Sequence, residues 1–139
     1  MQWLFWQMGG LGPIAGQNGH FNNYAPEKVP YAIDRYVKET ERLYGVLDER
    51  LEGREFIAGD YSIADMACYP WIVPRERHKQ KVDEFKNLQR WFTAIQQRPA
   101  VQRAYALAQT INTKPTVNQE SKSILFGQGR RPATSNSAA

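Results

Sequence analysis

At 139 residues the chain is long enough for one ordinary domain and too short for two. An apolar share of 42% and a charged share of 23% suit a packed core, and no apolar run reaches the about 20 residues of a membrane span. One cysteine excludes an internal disulfide, the N-terminus lacks the basic region and cleavage site of a secretory leader, and a cytoplasmic location is the expectation.

Residues 2–16 open on Trp3-Leu4-Phe5-Trp6-Gln7-Met8, a helical run with no capping residue ahead of it, as though the chain were entered mid-helix. Pro13 offers no N–H to the Gly9 carbonyl and crowds it, so a kink or break is expected there. Gly9, Gly12 and Gly16 fall on one side, a smooth strip that another backbone can approach. Residues 17–25 read as a polar loop, and Pro26-Glu27-Lys28 as a helix start. Ile33, Tyr36, Val37, Thr40, Leu43, Tyr44, Leu47 and Leu51 then recur at three and four residues, the stripe of an amphipathic helix that Gly53 closes.

Ser62-Ile63-Ala64-Asp65 has the form of a capping box, with Ser62 as N-cap and Asp65 returning its carboxylate to the Ser62 N–H. Tyr61 and Met66 occupy the positions of a hydrophobic staple. This helix is expected to run to about Pro70 and to bend or restart toward Pro74. Leu88, Trp91, Phe92 and Ile95 mark another helix, and Pro99 starts one whose buried face is Val101, Ala104, Tyr105 and Ala108. Residues 1–109 are thus one helical domain. Residues 110–139 form a polar tail, with Ile124-Leu125-Phe126 docking around 120–127 and the rest disordered. No window alternates with period two for long enough to predict a sheet, and the fold class is an all-α helical bundle.

The residues hold no convincing catalytic set. Cys68 sits on a helix expected to be buried, where a thiol behaves as a small hydrophobe. His20 and His78 fall in different predicted loops without ligand spacing, so no metal site is expected. Positive charge is interleaved with acids except at Arg75-Glu76-Arg77-His78-Lys79-Gln80-Lys81 and Arg130-Arg131, stretches that a solvated face explains as well as nucleic-acid binding does. Arg35 lies one residue off the apolar stripe, at the rim of whatever the helix packs on. Its simplest role is an i,i+4 pair with Glu39.

Gly59-Asp60-Tyr61-Ser62-Ile63-Ala64-Asp65-Met66, followed by Asn87-Leu88-Gln89-Arg90-Trp91-Phe92 and Arg98-Pro99-Ala100-Val101, resembles the signature of the glutathione transferase C-terminal domain. The opening run from Gln2 to Pro13, with Gly16-Gln17-Asn18 and Pro30-Tyr31-Ala32-Ile33-Asp34-Arg35-Tyr36, is similar to the Nu-class subgroup. Its members are bacterial glutathione-dependent disulfide-bond oxidoreductases, related to fungal nitrogen-regulator prion proteins. Ile124-Leu125-Phe126-Gly127-Gln128 resembles a tail motif of bacterial members.

The resemblance implies a helical bundle of the glutathione transferase C-terminal type, without the thioredoxin-like N-terminal domain that holds most glutathione contacts. It implies glutathione as co-substrate, a small electrophile or disulfide as second substrate, and a homodimer as the working unit. By the same resemblance, Gln2 and Arg35 contact glutathione across or beside the dimer cleft, a guanidinium being suited to a carboxylate. Trp6, Met8, Leu11 and Asn18 line the electrophile side, and Ser62 and Asp65 start a helix without taking part in chemistry. The chain alone is then expected to be inactive. The alternative is a non-catalytic interaction scaffold of the same fold, and weak nucleic-acid binding ranks third.

Overall fold

Helical periodicity in the sequence becomes helix throughout the computed structural model, which describes residues 1–111 and 117–127. The disorder expected beyond Gly127 therefore lies outside the described residues. In order come α1 (Gln2–Trp6), a π-turn (Gln7–Leu11), α2 (Gly12–Asn23), α3 (Pro30–Arg50), α4 (Ile63–Ile72), a 3-10 turn (Val82–Glu84), α5 (Lys86–Gln96), α6 (Pro99–Ile111) and α7 (Gln119–Phe126). The described residues contain no extended strand; single bridges between Phe56 and Gly59 and between Ala58 and Asp60 close a turn, with Gly59 at φ +103. The fold class is all-α.

Two compact units divide the chain, Met1–Arg98 and Pro99–Ala139. In the first, the α3 stripe supplies Thr40, Leu43, Tyr44 and Leu47 to the core, α4 supplies Ala64, Cys68, Tyr69 and Ile72, and α5 supplies Leu88, Trp91, Phe92 and Ile95. Each large side chain so buried contributes about 1.5–3 kcal/mol. In the second unit α6 has no buried residue, with Leu107 at 59% and Ile111 at 68% exposure. Of the four residues expected to be buried, Val101 and Ala108 are half-buried and Ala104 and Tyr105 are exposed. The helix of α7 is capped by Asn118 and Ser121, and its Ile124, Leu125 and Phe126 are all exposed.

Two boundaries differ from those expected. Pro13 does not break the first helix. The π-turn just ahead of it widens the coil, with the Gly12 N–H bonding back to the Gln7 carbonyl, and the helix passes the ring and absorbs the predicted loop as far as Asn23. The third helix begins at Pro30 and not at Pro26. A residue before proline is driven out of the helical region, and Val29 is extended at φ −108, ψ 92, which leaves Pro30 as the first helical residue.

Candidate functional site

The frame of the site begins at the Ser62 cap. Ala64 N–H donates to Ser62 Oγ at 3.3 Å, and Ser62 N–H donates to Asp65 Oδ2 at 2.9 Å. Asp65 is fully buried, and its other oxygen, Oδ1, accepts the Ile57 N–H at 3.0 Å and the Trp91 indole N–H at 2.8 Å. One carboxylate thus joins the turn before α4, the start of α4 and the middle of α5. Both its oxygens are committed to this frame, which gives it a structural part. Tyr61 stacks under the Arg98 guanidinium at 3.6 Å and edge-on to Phe56 at 5.3 Å, while Met66, its expected staple partner, is 52% exposed.

The helix from Gln2 to Asn23 carries most of the residues singled out by resemblance. Gln2 is exposed, Trp6 is half-buried and edge-on to Trp3 at 5.4 Å, and Met8 is 64% exposed. Leu11 and Asn18 are wholly buried. Asn18 is a framework residue: its amide donates to Thr40 Oγ1 at 2.9 Å and to the His78 carbonyl at 3.0 Å, and its Oδ1 accepts from Asn22. The glycine strip receives a side chain and not a backbone. A Cβ on Gly12 would lie 2.6 Å from Gln7 Nε2 and 3.2 Å from Trp71, and one on Gly16 would lie 3.8 Å from the same ring, while Gly9 faces open space.

Arg35 stands on α3 with 60% of its side chain exposed and makes the expected i,i+4 contact with Glu39 at 3.8 Å. Glu39 is bound more closely by Arg42, through hydrogen bonds of 2.9 and 2.7 Å, and that hydrogen bonding is the main reason its carboxyl ionises below the usual range. Arg35 therefore holds only the looser share of one carboxylate. The structure does not bring Gln2 and Arg35 together. Arg50, at the far end of α3, lies over the ring of Trp3, the neighbour of Gln2, at 5.3 Å. Arg35 is fifteen residues back along the same helix, about 22 Å away.

Two arginines of the basic stretch make structural contacts, while Lys79 and Lys81 are exposed. Arg75 lies over Phe92 at 4.6 Å, and Arg77 lies over Tyr24 at 5.6 Å and hydrogen-bonds its hydroxyl. His20 is within α2 and not in a loop, and His78 is buried against Gly19. Burial, and then the charge of Asp65, push the Cys68 thiol up to about 12, so it is neutral and unreactive at ordinary pH. Among the described residues no His, Cys, Asp and Glu side chains cluster as metal ligands, and no helix is long and apolar enough to cross a membrane. A shallow concavity of about 700 Å³ along the outer side of α3, with Lys38, Arg42 and Phe85 in its wall, lies away from Gln2, Trp6 and Met8.

Sequence reasoning passed over Asp48. Its Oδ1 accepts the Leu88 N–H at 2.9 Å, an N-cap for α5 supplied from α3, because α5 has no side-chain cap of its own.

Residues 21–99 match the family model for the glutathione S-transferase C-terminal domain. The disulfide-bond oxidoreductase YfcG of Escherichia coli is 49% identical over 110 residues, covering 78% of this chain and 51% of its own. The disulfide-bond oxidoreductase YghU of the same organism is 41% identical, covering 79% and 41%. The chain thus spans about half the length of the curated relatives it matches, or less. Among solved structures, a glutathione transferase from Burkholderia graminis with two glutathione molecules bound per subunit is 46% identical, with a TM-score of 0.67 over 73% of this chain and 46% of that one. A glutathione transferase from Phanerochaete chrysosporium in complex with oxidized glutathione is 34% identical, with a TM-score of 0.74 over 80% and 53%.

Proposed function

Because the chain belongs to the glutathione S-transferase C-terminal domain family, we propose that it forms the substrate-facing and dimer-facing helices of a glutathione transferase or glutathione-dependent disulfide reductase. The observation that carries this reading is Arg35, a guanidinium on a rigid helix, 60% exposed and only loosely held by the shared Glu39. It is free to pair with a carboxylate of glutathione. Relatives solved with glutathione or oxidized glutathione bound support that choice of ligand.

Gln2 is the second glutathione contact in this reading. Since about 22 Å of helix separates its neighbourhood from Arg35, the two side chains do not grip one tripeptide from a single chain. They meet it from two chains of a homodimer, or they serve two molecules. Trp6 and Met8 supply the surface toward the electrophile or disulfide, and Leu11 and Asn18 hold the helix beneath them. The reaction needs glutathione and no metal, and it is placed in the cytoplasm.

Turnover requires the glutathione sulfur to be held in line with its target. The resemblance assigns that task to a thioredoxin-like half, and no residue set among the described residues replaces it. Calorimetric titration with glutathione and with oxidized glutathione, on the full chain and on Arg35→Ala, tests the reading. Weak binding that Arg35→Ala abolishes is expected, with negligible turnover of a thiol-reactive electrophile. Binding unaffected by the substitution, or turnover at an ordinary enzymatic rate, would overturn it.

The exposed apolar surface of α1 and the π-turn, with Phe5 at 65% and Met8 at 64%, favours a second reading as a non-catalytic assembly scaffold. Sedimentation separates the two. A scaffold self-associates or captures partners whether or not glutathione is present, whereas dimerisation strengthened by glutathione belongs to the first reading.

A further inference from the structure

We propose that His78 is a proton switch: on gaining a proton, its side chain releases the 73–81 loop from α2 and α3. This goes beyond the glutathione reading and does not depend on it.

His78 sits where three elements are tied. Its carbonyl accepts the amide of Asn18 on α2 at 3.0 Å and the amide of Gln80 at 3.0 Å. The same Gln80 nitrogen reaches the Val37 carbonyl of α3 at 3.0 Å, and Asn18 also reaches Thr40 on α3. The imidazole presses on α2 where there is no side chain, with Nε2 3.4 Å and Cδ2 3.6 Å from the position a Cβ on Gly19 would take. The residue is only 5% exposed, and among the described residues its Nδ1 is buried with no hydrogen-bond partner. Lys79, the next residue, is held at φ +58, a left-handed conformation that a β-carbon disfavours. The loop is thus a strained turn kept closed by the contacts converging on His78.

A neutral imidazole tolerates this setting, but an imidazolium does not. Its new N–H would point into the interior without an acceptor. The groups presented from α2 are the uncharged Asn18 and Gly19, with His20 next in the chain. Those from α3 are Thr40 and the Val37 carbonyl, and the carboxylate of Glu39 nearby is committed to Arg42 and Arg35. On its own loop the charge acting on His78 is that of Arg77, which opposes protonation, while Arg75 is engaged with Phe92 and Glu76 and Lys79 are exposed. Burial first, and Arg77 second, hold the imidazole below its ordinary value of 6.5. Once the loop opens, that value is restored. The open state therefore binds the proton better: closure is complete above about pH 6.5, and the opening constant rises up to about tenfold per unit as the pH falls below it. The rise ends at the lowered value of the closed state.

The test is carried out on the full chain between pH 8 and 5. Proton NMR follows the His78 ring, and hydrogen exchange, corrected for its intrinsic pH dependence, follows the His78 and Gln80 amides, which donate to loop carbonyls of Pro74 and Arg75. The same exchange is measured in His78→Gln and His20→Gln. We expect the ring to titrate below 6.5, opening to climb in the wild type and in His20→Gln, and a flat profile in His78→Gln. A ring that titrates at or above 6.5, or a slope that survives in His78→Gln, would refute the switch. If His78→Gln does not fold, the wild-type exchange still decides the question, because opening that stays flat between pH 8 and 5 refutes the switch.

Discussion

The carboxylate of Asp65 and the indole N–H of Trp91 stand 2.8 Å apart, both fully buried, at positions 26 apart in the chain. The N3 carboxylate of the α4 capping box is therefore also the anchor for the centre of α5. Asp65→Ala leaves the donors of Ile57, Ser62 and Trp91 unsatisfied and should cost about 3–5 kcal/mol by urea denaturation. Trp91→Phe removes one donor and some volume, at about 1–3 kcal/mol. A loss under 1 kcal/mol for Asp65→Ala would show that the hub contributes little to folding.

Asp48 caps α5 across the fold through Leu88. Asp48→Ala should lower stability by about 1–2 kcal/mol, the cost of a lost N-cap. Asp48→Asn, which keeps an acceptor oxygen, should recover most of it. Equal losses in both variants would mean that charge and not the cap is what matters.

The glycine in the middle of the π-turn and the one just after it should behave oppositely. Gly12→Ala drives a methyl to 2.6 Å from Gln7 Nε2 and 3.2 Å from Trp71, and a destabilisation of about 1–3 kcal/mol is expected. Gly9→Ala meets nothing within 4 Å and gains helix propensity, so it should be neutral or stabilising by about 0.5–1 kcal/mol. Thermal melts of the two variants check the contrast.

Cys68 should resist thiol reagents at pH 8 in the folded protein and react fully in denaturant, because its thiol, pushed up to about 12 by burial, is almost entirely protonated at that pH. Rapid native labelling, counted by absorbance with a chromogenic disulfide, would contradict the burial.

Much of this was legible in the residues. The stripe from Thr40 to Leu51, the Ser62–Asp65 box and the inward face of α5 follow from period and capping chemistry, and the structure forms all three. What escaped depends on contacts distant in sequence. Pro13 announces a kink or break, but nothing local announces the π-turn that takes it up, and Pro26 suggests a helix start although Pro30 fixes it through Val29. Asp48 looks like any solvated acid until α5 is laid against it. The basic stretch 75–81 looked like a patch because the rings of Phe92 and Tyr24 that take up its arginines lie on other helices. For the candidate site, the sequence pointed to Arg35 and its Glu39 partner, but it did not reveal that Arg42 claims that carboxylate first.

The π-turn at Gln7–Leu11 also sets a phase. One surplus residue in a helical coil advances everything beyond it by about 100°, so α1 and α2 form a single rod with two independently aimed sides. Met8 looks outward while Leu11, Ala15 and Asn18 look inward, although a uniform helix would have ranged them differently. Excising one residue from the turn would restore uniform winding and swing Asn18 off Thr40 and Gly12 off Trp71. A shorter helix of flawless regularity would then fit its neighbours worse than the irregular one does.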